Sequence, residues 1–232
     1  MIPPQAIFFD VGNTLLFRDQ SVILAPLHQR GIVPTTSQLH AVERKTKREF
    51  DESVLRGGDV DHGFWYTYYT HLLEDFHSPD IGVEDASLRD QLVNATRISA
   101  NWCEILPRTR EVLLRLRPRY KLGVISNADG KIANVLAHCG IADCFETITD
   151  SGLVGSEKPN PAIFKAALHS LGVDAAQSLY VGDVYSVDYF GATRAGLRAI
   201  LFDVCGAYRD DGLPRVESIE ELEMVLDEAW NR

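Results

Sequence analysis

No stretch of this chain approaches the roughly 18 apolar residues that a membrane-crossing helix needs, so no membrane span is expected. Cysteine is scarce: Cys103, Cys139, Cys144 and Cys205 are the four present, and no two form a C-x-x-C pair. That spacing argues against a zinc cluster or a disulfide framework and for incidental thiols in a reducing compartment. The 7 histidines show no metal-ligand spacing. Basic residues are outnumbered, 23 Lys and Arg against 33 Asp and Glu, for a formal net charge of −10. Non-specific attraction to nucleic acid or anionic lipid is therefore not expected. A chain of this charge that handles phosphate needs a cation and a local basic group. The start, Met1-Ile2-Pro3-Pro4, shows no charged region, and the apolar run after it is too short for a signal peptide. The expected location is cytoplasmic. The first apolar run is followed neither by G-x-G-x-x-G nor by a G-K-[ST] loop, which argues against dinucleotide and P-loop nucleotide binding.

What remains is an ordinary globular composition, 45% apolar and 24% charged over 232 residues. That length suits one large domain, or a core carrying a smaller inserted one. Ala6 to Phe9 is a short apolar run suited to a central parallel strand. From about Leu16 to Ser99 helical periodicity takes over, as in Leu39, Val42 and Phe50, or Trp65, Tyr69, Leu72 and Phe76. Gly57-Gly58 and Ser78-Pro79-Asp80 read as loops between helices. After Pro107 strands and helices alternate. Strands are expected at Leu122 to Ile125, Thr147 to Thr149, Ser178 to Val181 and Ala199 to Phe202. Helices are expected at Thr109 to Leu116, Lys131 to Cys139, Pro161 to Leu171, Val187 to Ala195 and Ser218 to Trp230. The pattern predicts an α/β fold, a doubly wound parallel sheet with a helical insertion over its carboxyl edge. The expected boundaries are 1–16 and 104–232 for the core and 17–103 for the insertion.

Four short signals fall at loops expected to face that same edge, where open α/β sheets bind their ligands. Asp10 ends the first strand and is followed by Gly12, Asn13 and Thr14. A carboxylate there can attack an electrophile and form a covalent intermediate, or it can cap a turn. Ser126 and Asn127 follow the next strong strand. A hydroxyl and adjacent N–H groups can hold a phosphoryl oxygen, though Ser126 can equally cap the helix after it. Lys158 sits in a loop with two prolines, Lys158-Pro159-Asn160-Pro161, where an ammonium could neutralise both a nucleophile and a phosphoryl group. Gly182-Asp183, with Asp188 five residues on, offers hard oxygen ligands of the kind Mg²⁺ takes. Gly182 would let the backbone come close to the ion. Each signal has a bland reading alone, and all four bland readings at one edge make a poor coincidence.

In this order the motifs resemble those of the haloacid dehalogenase-like hydrolase superfamily, in the branch with a helical cap inserted after the first motif. The resemblance covers nearly the whole chain. It implies a Rossmann-like core with a helical-bundle cap, Asp10 as nucleophile, Ser126 on the phosphoryl group, and Lys158 steadying both. It also implies Mg²⁺ held by Asp10, Asp183 and the backbone carbonyl of Gly12, with Asp188 supporting the ion directly or through water. Asn127 would contact the phosphoryl oxygens or the loop. One position departs from the pattern. Most phosphatases of the family carry a second aspartate two residues after the nucleophile, as acid and base, and here that position is Gly12. Asn13 could orient a water or contact substrate, but it cannot shuttle a proton.

The cap should carry substrate choice. Its aromatic run, His62, Phe64, Trp65, Tyr66, Tyr68 and Tyr69, reads as the core of a helical bundle ahead of a substrate platform. Arg18, Arg44, Arg48 and His28 are its polar candidates. The expected activity is Mg²⁺-dependent hydrolysis of a small phosphorylated metabolite through a phosphoaspartate, by a monomer or homodimer. The loss at Gly12 makes the enzyme slow or selective for good leaving groups. The alternatives are a dehalogenase-type hydrolase attacking carbon, and a weakened phosphate-binding regulatory module.

Overall fold

A computed structural model describes residues 3–58, 63–76 and 86–230. Ser78, Pro79, Asp80 and His62 lie outside the described residues. The chain divides into two compact units. One comprises 1–17, 103–204 and 208–232, and the other 18–102 with 205–207.

The first unit is built on a six-stranded sheet, all of whose pairings are parallel. Strands β1 (Ala6–Phe9), β4 (Lys121–Ser126), β5 (Thr147–Asp150), β6 (Ser178–Gly182), β7 (Arg198–Phe202) and β8 (Arg215–Val216) lie in the order β5-β4-β1-β6-β7-β8. The short strands β2 (Phe17–Arg18) and β3 (Trp102–Glu104) pair with each other where the chain passes between units. Period-two alternation sorts the strand residues to two faces. Ile7, Phe9, Leu122, Val124, Leu179 and Val181 join one apolar cluster with Val112, Leu113, Leu136 and Leu222. These last four come from helices α6 (Thr109–Leu116), α7 (Ile132–His138) and α11 (Ile219–Trp230). Ala6, Phe8, Tyr180 and Ala199 join a second cluster with Ile163, Phe164 and Ala192. These belong to α9 (Pro161–Leu171) and α10 (Phe190–Arg194). The sheet is thus covered on both faces, the doubly wound arrangement that the alternation implied. Each fully buried large apolar side chain contributes about 1.5–3 kcal/mol.

Local signals set the helix ends. Asn160 caps α9 with Pro161 at its first position, and Gly172 closes it in the left-handed region (φ 63°). Short elements escaped the apolar pattern: β2, β3, β8, and helix α8 (Ser151–Val154) directly after β5. The helix expected over Val187 to Ala195 differs too. Its start is a π turn, Tyr185–Tyr189, and only Phe190–Arg194 is α-helical. Such turns recur at functional sites, and this one carries Asp188.

The second unit contains α1 (Gln20–Ile23), α2 (Ala25–His28), α3 (Thr36–Leu55), α4 (Phe64–Asp75) and α5 (Ala86–Arg97). Thr35 and Gln38 form a reciprocal capping box at the start of α3. Leu39, Val42, Tyr68, Tyr69, Leu72, Leu88 and Leu92 share its apolar core. Of the aromatic run, Tyr68 and Tyr69 are buried, Phe64 and Trp65 pack at the margin, and Tyr66 is exposed. Arg44 donates to the Cys205 carbonyl at 2.8 Å, which ties 205–207 to these helices. Arg48 and His28 are exposed. No helix among the described residues is long and apolar enough to cross a membrane.

Candidate active site

Parallel pairing delivers the motif residues to one edge. Phe9 pairs with Val124 on one side and Val181 on the other, so Asp10, one residue on, and Ser126 and Asp183, two residues on, arrive at the same ends of three adjacent strands. Strand order reverses beside β1, the position where such sheets hold ligands. The Asp10 N–H donates to the Val181 carbonyl at 2.8 Å, fixing the loop as it leaves the sheet.

Lys158 is the centre of the cluster. Its buried ammonium donates to Asp10 Oδ1 at 2.5 Å, Asp188 Oδ1 at 2.8 Å and the Tyr180 hydroxyl at 2.8 Å. An ammonium has three protons, so all three are used. Asp188 is equally saturated. Its Oδ1 accepts from Lys158 and from Tyr180 Oη at 2.9 Å, and its Oδ2 accepts from the N–H groups of Asp183 and Val184 at 3.1 and 3.0 Å. Four accepted hydrogen bonds fill a carboxylate's lone-pair sites. Asp188 therefore acts as a hub that orients Lys158 and the Asp183 backbone. Of the two roles expected for it, indirect support suits this arrangement, and its carboxylate also lies in one buried group with those of Asp10 and Asp183.

The glycine before Asp183 serves that hub. A Cβ on Gly182 would lie 2.5 Å from Asp188 Cγ and 2.7 Å from its Cβ. The expectation that Gly182 admits an ion is corrected: the space it leaves is taken by the Asp188 side chain.

Of the two contacts expected for Asn127, the one with the loop is present. Its amide nitrogen donates to the Lys158 carbonyl at 3.0 Å, and its amide oxygen accepts from the Lys158 N–H at 2.7 Å. Both ends clamp the lysine loop, and the second amide proton is not used by that clamp. Ser126, by contrast, is buried at the end of β4, and its hydroxyl has no hydrogen-bond partner among the described residues. The loop after it is braced from β5. Asp150 accepts from the N–H groups of Gly130, Gly152 and Ile132, and the Ser151 hydroxyl bonds both backbone atoms of Ala128. Asn13 takes the left-handed conformation (φ 53°) that asparagine tolerates. Its amide faces Asp183 Oδ2 at 3.4 Å. Gly12 bridges to Leu16 within the same loop.

Tyr180 is the site residue that motif reading missed. It lies inside the apolar run Leu179 to Val181, where a tyrosine reads as strand filler. Its hydroxyl reaches Lys158, Asp188 and, at 3.3 Å, the Ile125 carbonyl. Burial, with Asp188 and Asp10 nearby, raises its proton affinity far above normal, so it stays a neutral donor.

The electrostatics follow from crowding acids in a dry site. Burial pushes the Asp10 carboxyl up to about 7; Lys158 opposes this, while Asp188 and Asp183 add to it. Burial works against the Lys158 ammonium, yet Asp10 and Asp188 outweigh it and hold the charge above the usual lysine range. Carboxylate oxygens of Asp10, Asp183 and Asp188 lie within 4.8 Å of one another, all buried. Three acids around one ammonium form an all-oxygen, acid-rich donor set, the chemistry that suits a hard divalent cation. Each of the three can present one carboxylate oxygen to such an ion.

A family model described as haloacid dehalogenase-like hydrolase matches residues 4–196, and the chain belongs to that family. It is 28% identical over 229 residues to the pyrimidine 5'-nucleotidase YjjG of Escherichia coli (strain K12), covering 95% of this chain and 96% of that protein. It is 30% identical over 213 residues to a glyceraldehyde 3-phosphate phosphatase of Pyrococcus abyssi, covering 85% and 81%. The fold is similar to that of YfnB from Bacillus subtilis, solved bound to magnesium, with a TM-score of 0.67 at 18% identity, covering 97% and 99% of the two chains.

Proposed function

We propose that this hydrolase is a phosphatase acting on a small phosphomonoester through a phosphoaspartate on Asp10. The observation that carries the reading is the Asp10 carboxylate held at 2.5 Å by Lys158, with Asp183 and Asp188 in the same buried cluster. Relatives with phosphatase and nucleotidase activity support it.

In the first half-reaction an Asp10 oxygen attacks phosphorus, the bond to the leaving oxygen breaks, and the leaving group departs as an oxyanion that takes its proton from water. In the second, water attacks phosphorus, the bond to Asp10 breaks, and inorganic phosphate leaves with the carboxylate restored. Lys158 keeps Asp10 aimed and offsets charge on the transferring group. The open hydroxyl of Ser126 is placed to donate to a phosphoryl oxygen. Mg²⁺, held by Asp10, Asp183 and the Gly12 carbonyl, would supply further charge neutralisation. Gly12 offers no proton to the leaving group and no base to the water. General acid–base assistance is worth about 10²–10⁴ in rate, so the favoured substrates carry leaving groups that depart without protonation, anomeric and aryl phosphates among them.

Asp10→Asn should abolish turnover of an aryl phosphate, and excess EDTA should stop the wild-type enzyme. Turnover retained in a homogeneous Asp10→Asn preparation would exclude the mechanism. Hydrolysis persisting in EDTA would favour attack on carbon, and phosphate binding without turnover on a broad panel would favour a binding module.

A further inference from the structure

The helical unit buries a cation that none of the proposed chemistry uses. Arg18 has 9% of its side chain exposed, and its guanidinium lies 4.4 Å from the Trp65 ring centroid and 4.7 Å from that of Tyr68. Cation–π contact compensates part of the burial but satisfies none of the five N–H donors. Its acidic neighbour, Glu43, stands off at 3.7 Å and sits closer to Lys47, at 3.0 Å. Charge-assisted hydrogen bonds run at about 2.7–2.9 Å, so Glu43 pairs with Arg18 as an ion without hydrogen-bonding its fork. Beside it the Tyr68 hydroxyl is fully buried without a hydrogen-bond partner. Buried polar groups are nearly always paired; the guanidinium faces the Tyr68 oxygen, which leaves the hydroxyl proton, and the cation beside it, for an acceptor.

Both residues line one cavity of about 10 Å³, walled by Leu24, Leu39 and Tyr69, with exposed Gln20 also on its lining. A volume near 10 Å³ holds one oxygen-sized group. A guanidinium fork matches a carboxylate or phosphoryl group in shape and charge. We propose that Arg18 and Tyr68 form an oxyanion-recognition site that takes one oxygen of a carboxylate or phosphoryl group on a small molecule. That group belongs either to the substrate itself or to a separate anion. The cation excludes a positively charged occupant, and a resident water is the competing one.

The test follows the Trp65 side-chain N–H by NMR in the full-length protein, with its resonance identified by its loss in Trp65→Phe. Titration with acetate should give a saturable shift. Arg18→Gln should weaken the apparent affinity at least tenfold, Arg18→Lys should keep part of it, and Tyr68→Phe should weaken it severalfold. The absence of a saturable shift in the wild type, meaning a resident water only, would overturn the proposal. So would unchanged affinity in folded Arg18→Gln. If that variant does not fold, Tyr68→Phe decides, because it keeps the ring. Unchanged affinity there overturns the site and weakened affinity upholds it. The two sources separate by kinetics, an arm that rests on the phosphatase reading. A KM raised by Arg18→Gln only for carboxylate-bearing phosphomonoesters assigns the site to substrate. An acetate effect on aryl phosphate turnover that vanishes in the variant assigns it to a separate anion. A chain that hydrolyses nothing would sink the phosphatase reading and leave the titration readable.

Discussion

The two units each bury a lysine among acids, and they hold it differently. In the sheet unit Lys158 spends three protons at 2.5–2.8 Å, and Asp188 spends four acceptor sites at 2.8–3.1 Å. In the helical unit the contacts around Glu43 are 3.0 Å to Lys47 and 3.7 Å to Arg18. The first cluster stands on strand ends, whose positions the sheet's hydrogen bonds dictate. The second hangs from long side chains on helix faces. Saturated contacts leave one geometry, which is what a nucleophile needs. The longer Arg18 contact leaves its guanidinium open to another acceptor.

The difference should appear most strongly when each lysine is removed. Lys158→Met leaves Asp10 and Asp188 buried together without their cation, and should destabilise the protein by about 3–5 kcal/mol while abolishing turnover. Lys47→Met leaves Glu43 beside Arg18 and should cost about 1–3 kcal/mol. Chemical denaturation of the two variants measures both, and equal losses would erase the distinction.

The motifs disclosed the first cluster's members and not its wiring. Asp10, Lys158 and Asp183 were legible because each follows a strand or sits in a proline-bounded loop, and parallel strands end at a common edge. Tyr180 was hidden because a tyrosine among apolar strand residues looks like core. The clamp that Asn127 puts on the lysine loop and the hub that Asp188 makes were hidden because spacing does not say which way a side chain turns. The π turn that aims Asp188 has the same residue pattern as an ordinary helix start. In α3 the buried face includes Glu43, Thr46, Lys47 and Asp51. Polar residues at helical spacing read as a solvated face, so Arg18 appeared only as one candidate among four.

The next effect is a gain. Gly12→Asp restores the acid and base that the loop does not provide, and should raise kcat on alkyl phosphates by about 10²–10⁴. Aryl phosphates, which leave without a proton, should gain less. Equal acceleration of both classes, or none on alkyl substrates, would show that another group already performs this role.

The smallest effect is a pH dependence of stability without metal. Burial raises Asp10 from the 3.8 of a free aspartate to about 7. The native state therefore holds a proton that the unfolded chain releases, and stability falls as pH rises from about 4 through about 7. Asp10→Asn carries no such proton. In EDTA its melting temperature should gain on the wild type across that window, and saturating Mg²⁺ should restore the wild type. A constant difference across the window would mean that Asp10 ionises normally.

The nucleophile itself is tested most directly by mixing enzyme, Mg²⁺ and an aryl phosphate, quenching in acid within one turnover, and mapping peptide masses. The mass of one phosphoryl group on the Asp10 peptide, absent from Asp10→Asn, is the predicted result. Turnover with that peptide unmodified at every quench time, or with the group on another residue, would contradict it.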